Sequence, residues 1–304
     1  MEASTNATSY IDICEFPEKS CNIYNFIAYS STNVASIIIN LLHLFMLQRI
    51  LRVKESNYFW ILFNLTLGDI AMSLAVVLVV SCKRWVSLNC FMIVMSYAFG
   101  SCVFQIRYWL LLLAVIERYY AVCRPFQYTT SKFISNIGKW TAVAWILNAA
   151  LALASNIFDH LRFDTIQSEV SKYLTVTVIV ATIAPSVIST VLLIKIAAEL
   201  KNMKRQRNTP GENKESRSAT NYIIGVFIMF YISLIPTLVY AGLQVMSKNK
   251  ARTDFTWLSS LALFTHLLYG IGNVVLYGVL NKAYVAKIKS ICQSLCQNTQ
   301  VHPQ

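Results

Sequence analysis

Charged residues are scarce in this sequence: Asp, Glu, Lys and Arg make up 13% of its 304 residues, while 56% are hydrophobic. A soluble domain carries about 25% charged residues, so a chain of this composition cannot cover a water-facing surface. A basic-then-apolar leader is also lacking. The first 25 residues (MEASTNATSYIDICEFPEKSCNIYN) are polar, so no cleavable signal peptide is evident and the first apolar span must act as its own membrane signal. No internal repeat is visible, whereas many transporters are built from inverted repeats. There is no cluster of metal-ligating residues and no nucleophile beside a base, which disfavours an enzyme, a metal site or a resident cofactor.

What the chain does have is length of apolar sequence. Seven stretches can span a bilayer, roughly 26–48, 58–81, 91–121, 139–158, 170–198, 219–245 and 255–279. With the N-terminus outside, the inner segments hold 16 Lys and Arg against four acids, and the outer segments hold eight of each sign. The net charge of +12 then lies on the cytoplasmic face. Attraction to an anionic inner leaflet explains this basicity better than nucleic-acid binding. The expected architecture is an all-α membrane protein, a seven-transmembrane helix bundle with a short cytoplasmic amphipathic eighth helix. Residues 1–25 are an outer tail, 26–281 the bundle, and 282–304 the amphipathic helix and inner tail.

In that tail Ala283, Tyr284, Ile288, Ile291 and Leu295 share a face opposite Lys282, Lys287 and Lys289, with Cys292 and Cys296 placed for acylation. Asn6-Ala7-Thr8 is a glycosylation signal in the outer tail. Asn64-Leu65-Thr66 has the same pattern but falls inside the second span, where it is expected to be buried. Cys14, Cys21, Cys82 and Cys90 lie outside or at the outer rim, where disulfides persist, and allow three full pairings.

The stretch Cys90–Phe126 (CFMIVMSYAFGSCVFQIRYWLLLLAVIERYYAVCRPF) organises the rest. Its interior Arg107 is expensive in lipid unless it faces protein or water, and so marks function. Arg107 precedes Arg118 by three turns plus ~20°, so both point the same way, about 16 Å apart along the axis. Asp69 lies at the same depth, about 16 Å from the inner face, and Asn40 about 13 Å from it. Asn40, Asp69, Arg107 and Asn273 therefore define one polar layer near mid-membrane. Pro185 and Pro236 sit within the fifth and sixth spans as kink positions.

This constellation resembles the rhodopsin-like (class A) G-protein-coupled receptors across residues 26–296. The matching residues are Asn40, Leu65-Thr66-Leu67-Gly68-Asp69, Glu117-Arg118-Tyr119 with Pro125, Trp145, Pro185, Phe230 with Pro236, and Asn273 with Tyr277. The string IERYYAVCRPFQYTT is also similar to chemosensory, particularly fish-type odorant, receptors. The resemblance implies a plasma-membrane protein that couples an extracellular ligand to a heterotrimeric G protein. It implies that Glu117 restrains Arg118 at rest, that Arg118 turns into the G-protein cavity on activation, and that Val122, Pro125 and Phe126 form the adjacent docking surface.

The family usually has a small polar residue at the Arg107 position, completing a sodium site beside the acid. An Arg there brings its own cation, so a direct or water-bridged Asp69–Arg107 pair is expected in place of sodium. Gly100 stands where amine receptors have an Asp, and Leu267 lies in the region where visual pigments carry a retinal-binding Lys; neither ligand class is implied. Phe104, Tyr240, His266 and Tyr269 with Gly100 are the candidate pocket.

Val274, Leu234 and Leu193 depart from the family's Pro, Trp and Tyr, which leaves a coupling-deficient decoy as one alternative and a transporter or channel as another. The second outer loop lacks the family's Cys, and Cys90 lies three residues further from Arg118 than the usual third-helix Cys. Its remaining outer partners are Cys14, Cys21 or Cys82.

Overall fold

The computed structural model describes residues 23–51, 57–85, 90–160, 166–206, 214–246, 256–281, 284–286, 288–290 and 293. Seven long helices carry the architecture: α1 (Ile23–Leu51), α2 (Asn57–Trp85), α3 (Cys90–Cys123), α6 (Ile137–His160), α7 (Ile166–Gln206), α8 (Lys214–Met246) and α9 (Thr256–Leu280). Two short helices, α4 (Pro125–Tyr128) and α5 (Lys132–Ser135), lie between α3 and α6. Asn6, Cys14, Cys21, Cys292 and Cys296 fall outside the described residues, as do the side chains of Cys82, Cys90 and Tyr240.

Helices are what a bilayer permits, because every backbone N–H and C=O must be satisfied within the segment. Six of these helices are long and apolar enough to cross a membrane, and α9 contributes a shorter apolar stretch, Phe264–Leu280. The chain is a multi-pass membrane protein built as a seven-helix bundle. Pro185 and Pro236 both lie inside unbroken helices.

The bundle is organised around α3. It packs against α2, α4, α6, α7 and α8, and 67% of its apolar window is buried, against 11% for α7. Ile106, Leu110, Leu111, Ala114 and Val115 of α3 are all buried. Ile183, Val187, Val191 and Ile194 of α7 are exposed instead. In water such an apolar surface would be a liability; in lipid it is the expected outer face. Lipid tails supply no hydrophobic drive between helices, so close packing and polar contacts must hold the bundle. Gly225 shows how close α8 and α9 come: a Cβ there would lie 2.6 Å from Leu276 Cδ2.

The segment after α3 differs from its sequence reading. It reads as a polar, basic loop, yet it folds into α4 and α5. Pro125 occupies the first turn of α4, where its missing N–H costs nothing. Ser131 caps α5, its hydroxyl accepting from Ile134 N at 3.5 Å. Ile134 is fully buried and ties α5 to the bundle. The helix α7 also begins earlier than its apolar run, taking in the polar residues from Ile166 onward.

One polar contact pins α6 to α2. Trp145 Nε1 donates to Asn64 Oδ1 at 3.2 Å, while Asn64 Nδ2 donates to the Trp60 carbonyl at 2.7 Å. Asn64 is thus buried between helices. Hydrogen bonds between membrane helices contribute about 0.6 kcal/mol on average. Trp145→Phe and Asn64→Leu should each lower the melting temperature of the detergent-solubilised protein, and the double variant should lose less than their sum. Strictly additive losses would mean that the contact does not stabilise the bundle.

Candidate functional site

Two buried ion pairs are stacked along α3, and they are the only salt bridges among the described residues. The deeper one joins Arg107 Nη2 to Asp69 Oδ1 at 2.8 Å, with 3% and 2% of the two side chains exposed. The other Asp69 oxygen accepts from Asn273 Nδ2 at 2.9 Å. Both carboxylate oxygens are therefore engaged by donors, which is the condition for keeping a charge in a low-dielectric interior. Tyr269 lies under the guanidinium, with 5.2 Å from Cζ to the ring centroid, a cation–π distance. The Nε and Nη1 atoms of Arg107 make no hydrogen bond.

Asn40 belongs to the same depth but not to the same network. Its amide donates to the Ser36 carbonyl at 2.9 Å and approaches Ser36 Oγ at 3.4 Å. Ser36 accepts from Ser73 at 3.0 Å, which joins α1 to α2. Three of the four layer residues, Asp69, Arg107 and Asn273, are bonded together, and Asn40 stands beside them, fully buried.

From this layer a polar and aromatic column runs to the far end of α9. Asn273 Oδ1 accepts from the Tyr222 hydroxyl of α8. Tyr222 meets Tyr277 edge-on, 5.3 Å between ring centroids. Tyr277 meets Tyr284 at 5.1 Å and His43 at 5.2 Å, and its hydroxyl accepts from Asn281 Nδ2 at 3.0 Å. His43 Nδ1 and the Tyr284 hydroxyl are 2.8 Å apart. Burial pushes the Tyr284 phenol up to about 12, so the hydroxyl keeps its proton. One connected path thus ties α1, α8 and α9 to the helical residues after Asn281. Tyr284 and Ile288 both pack on the core, on the face that their amphipathic spacing assigns.

The second pair lies at the α4 end of α3. Arg118 Nε and Nη2 donate to the two oxygens of its neighbour Glu117, and the Tyr128 hydroxyl of α4 donates to Glu117 Oε1 at 2.7 Å. Glu117 is fully buried and Arg118 is 6% exposed. Val122 is buried nearby, Tyr119 half-buried, Pro125 exposed, and Phe126 92% exposed.

At the opposite half of α3, Phe104 meets His266 edge-on at 5.4 Å, and Thr237 Oγ1 lies 3.0 Å from His266 Nε2. Phe104, Tyr108, Phe230 and Tyr269 continue as edge-on neighbours down to the Arg107 layer. A Cβ on Gly100 would meet nothing within 4 Å. His266 Nδ1 and Gln105 Oε1 are buried without a hydrogen bond.

Sequence reasoning passed over Tyr222, His43, Tyr128 and Thr237. His43 and Tyr128 carried a signal: one is a titratable residue inside an apolar span, the other a tyrosine eleven residues after an acid. Among the described residues no group of His, Cys, Asp and Glu is placed to hold a metal ion. Cys102 and Cys123 are free thiols.

Breaking a buried pair by removing one partner costs roughly 3–5 kcal/mol. Arg107→Ser should therefore melt well below wild type. Its melting temperature should rise when sodium replaces choline, because Asp69 is left without a cation, while the wild type should not respond. Equal responses from the two proteins would contradict the view that Arg107 occupies the cation's place.

A family model described as 7 transmembrane receptor (rhodopsin family) matches residues 39–275. No curated protein matches the chain. The family match runs from the middle of the first helix to near the end of the last, over the bundle that holds both ion pairs, and the chain belongs to the rhodopsin family of seven-transmembrane receptors.

Proposed function

We propose that this chain is a plasma-membrane receptor, N-terminus outside and C-terminus cytoplasmic, that passes ligand binding to a heterotrimeric G protein. The observation that supports this reading is the buried pairing at the α4 end of α3. Arg118 is held by both oxygens of Glu117, and Tyr128 holds Glu117 from α4. In the family this arginine must leave its acid to enter the G-protein cavity, so the geometry corresponds to the resting packing. Activation is then a shift between two packings of one bundle. Phe126 with Pro125 offers the adjoining contact surface; Val122, which the resemblance assigns to it, is buried in the core instead.

The ligand site lies between the outer halves of α3, α8 and α9, around Gly100, Phe104, His266 and Tyr269, with Tyr240 on the same helix as Thr237. Its aromatic lining and the absence of an acid at Gly100 favour a small organic molecule, a lipid or a short peptide over an amine. The similarity of IERYYAVCRPFQYTT to odorant receptors supports a chemosensory role. Residues 1–25 form the outer tail, bearing a glycan at Asn6, and 282–304 the inner tail, acylated at Cys292 and Cys296.

The test needs no ligand. Hydrogen bonds to charged groups contribute about 1.5–3 kcal/mol, so Tyr128→Phe should shift the resting equilibrium by roughly tenfold or more. In lipid nanodiscs with a panel of G proteins, Tyr128→Phe and Glu117→Gln should raise basal nucleotide exchange, and Arg118→Ala should not. Exchange that stays at background for every variant and every G protein would favour the decoy reading. Ion flux or solute uptake by the reconstituted protein would favour a channel or transporter.

A further inference from the structure

Apart from the two ion pairs, a cavity of about 520 Å³ lies between α5 and the first turns of α6. It is lined by Lys132, Phe133, Asn136, Lys139, Trp140 and Val143. Its volume falls within the range of about 300–1,000 Å³ typical of small-ligand sites. No acid lines it, and among the described residues neither lysine is in an ion pair.

The cavity is held in shape from below. Ile134 is fully buried in the bundle, Ser131 caps α5, and Asn136 Nδ2 donates to the Lys132 carbonyl at 2.9 Å. Phe133 and Trp140 stack at 5.5 Å with 26° between their planes, which gives the cavity an aromatic wall. The lysines themselves are exposed.

Beyond the cavity, α6 presents an exposed apolar face. Trp140, Val143 and Leu147 of α6 are exposed and spaced i, i+3 and i+7, so they form one stripe down the helix. That stripe runs about 10 Å from Trp140 to Leu147. Two ammonium groups at the head of an apolar stripe match an anionic headgroup joined to acyl chains. A zwitterionic choline lipid would bring a third cation to the same place.

We propose that this cavity is a binding site for an anionic phospholipid, its headgroup between Lys132 and Lys139 and its chains along Trp140, Val143 and Leu147. The assignment to the cytoplasmic leaflet rests on the orientation proposed above; the cavity and its charge do not. Phe126 is not among the residues that line the cavity.

Trp140 provides the readout. The full chain is placed in nanodiscs containing brominated phosphatidylserine or brominated phosphatidylcholine, and the Trp140 signal is isolated by subtracting Trp140→Phe. Bromine on phosphatidylserine should quench Trp140 more strongly than bromine on phosphatidylcholine. Near a membrane surface each lysine contributes about fivefold to anionic-lipid binding. Lys132→Gln/Lys139→Gln should thus reduce the preference by up to roughly 30-fold and equalise the two lipids. Equal quenching in wild type, or a difference that survives in the double variant, overturns the proposal. So does loss of the difference on adding inorganic phosphate at constant ionic strength, which would show a site for phosphate alone. No G protein enters the measurement, so a failure of coupling leaves this result unaffected.

Discussion

A guanidinium and a carboxylate meet in the middle of an apolar bundle, and most of the interior is arranged around that meeting. An unpaired Arg107 or Asp69 at this depth would be costly. Paired at 2.8 Å, with the second carboxylate oxygen held by Asn273, the two charges cancel locally and fix α2, α3 and α9 relative to one another. The coupling is mutual: α3 must place Arg107 at the depth of Asp69, and α9 must bring its backbone close enough at Gly270 to reach the same acid. A Cβ at Gly270 would lie 3.5 Å from Asp69 Cβ, in ordinary van der Waals contact.

From there the arrangement leads to the other end of the bundle in two ways. Along α3 the route is rigid helix, ending at Glu117 and Arg118. Through α9 it is a column of contacts, Asn273 to Tyr222 to Tyr277 to Tyr284 and His43. Both routes end on the same face of the molecule. A rearrangement that moved α8 would have to break the Tyr222–Asn273 bond, and that would disturb a ligand of Asp69. The mid-bundle layer is thus joined by contiguous contacts to the far end of α9 and, through the body of α3, to Glu117 and Arg118.

Much of this was legible in the sequence because membrane constraints are severe. Apolar runs of bilayer length must be helices, and a lone Arg within one must find a partner at its own depth; counting residues at 1.5 Å each was enough to bring Arg107 to Asp69. That Tyr284 and Ile288 share one face, the first buried and the second half-buried, followed from their spacing in the same way. Other features were hidden for physical reasons. Tyr222 and Thr237 look like ordinary residues of apolar helices, and only the packing of α8 on α9 gives their hydroxyls partners. The helices α4 and α5 are too short to show a period, and their polar sequence reads as loop. The cavity at Lys132 and Lys139 depends on how α5 leans on α6, and spacing along one chain does not encode that. Asn40 shares the depth of the layer, but its amide is taken by Ser36, one turn earlier on its own helix.

The claim on which the rest depends is that Asp69 and Arg107 act as one unit inside the bundle. A double-mutant cycle of Asp69→Asn and Arg107→Met, read by thermal unfolding in detergent, measures it directly. The account predicts that the double variant loses far less stability than the two single losses combined, because each single change strands a buried charge and the double change strands none. Additive losses would contradict it.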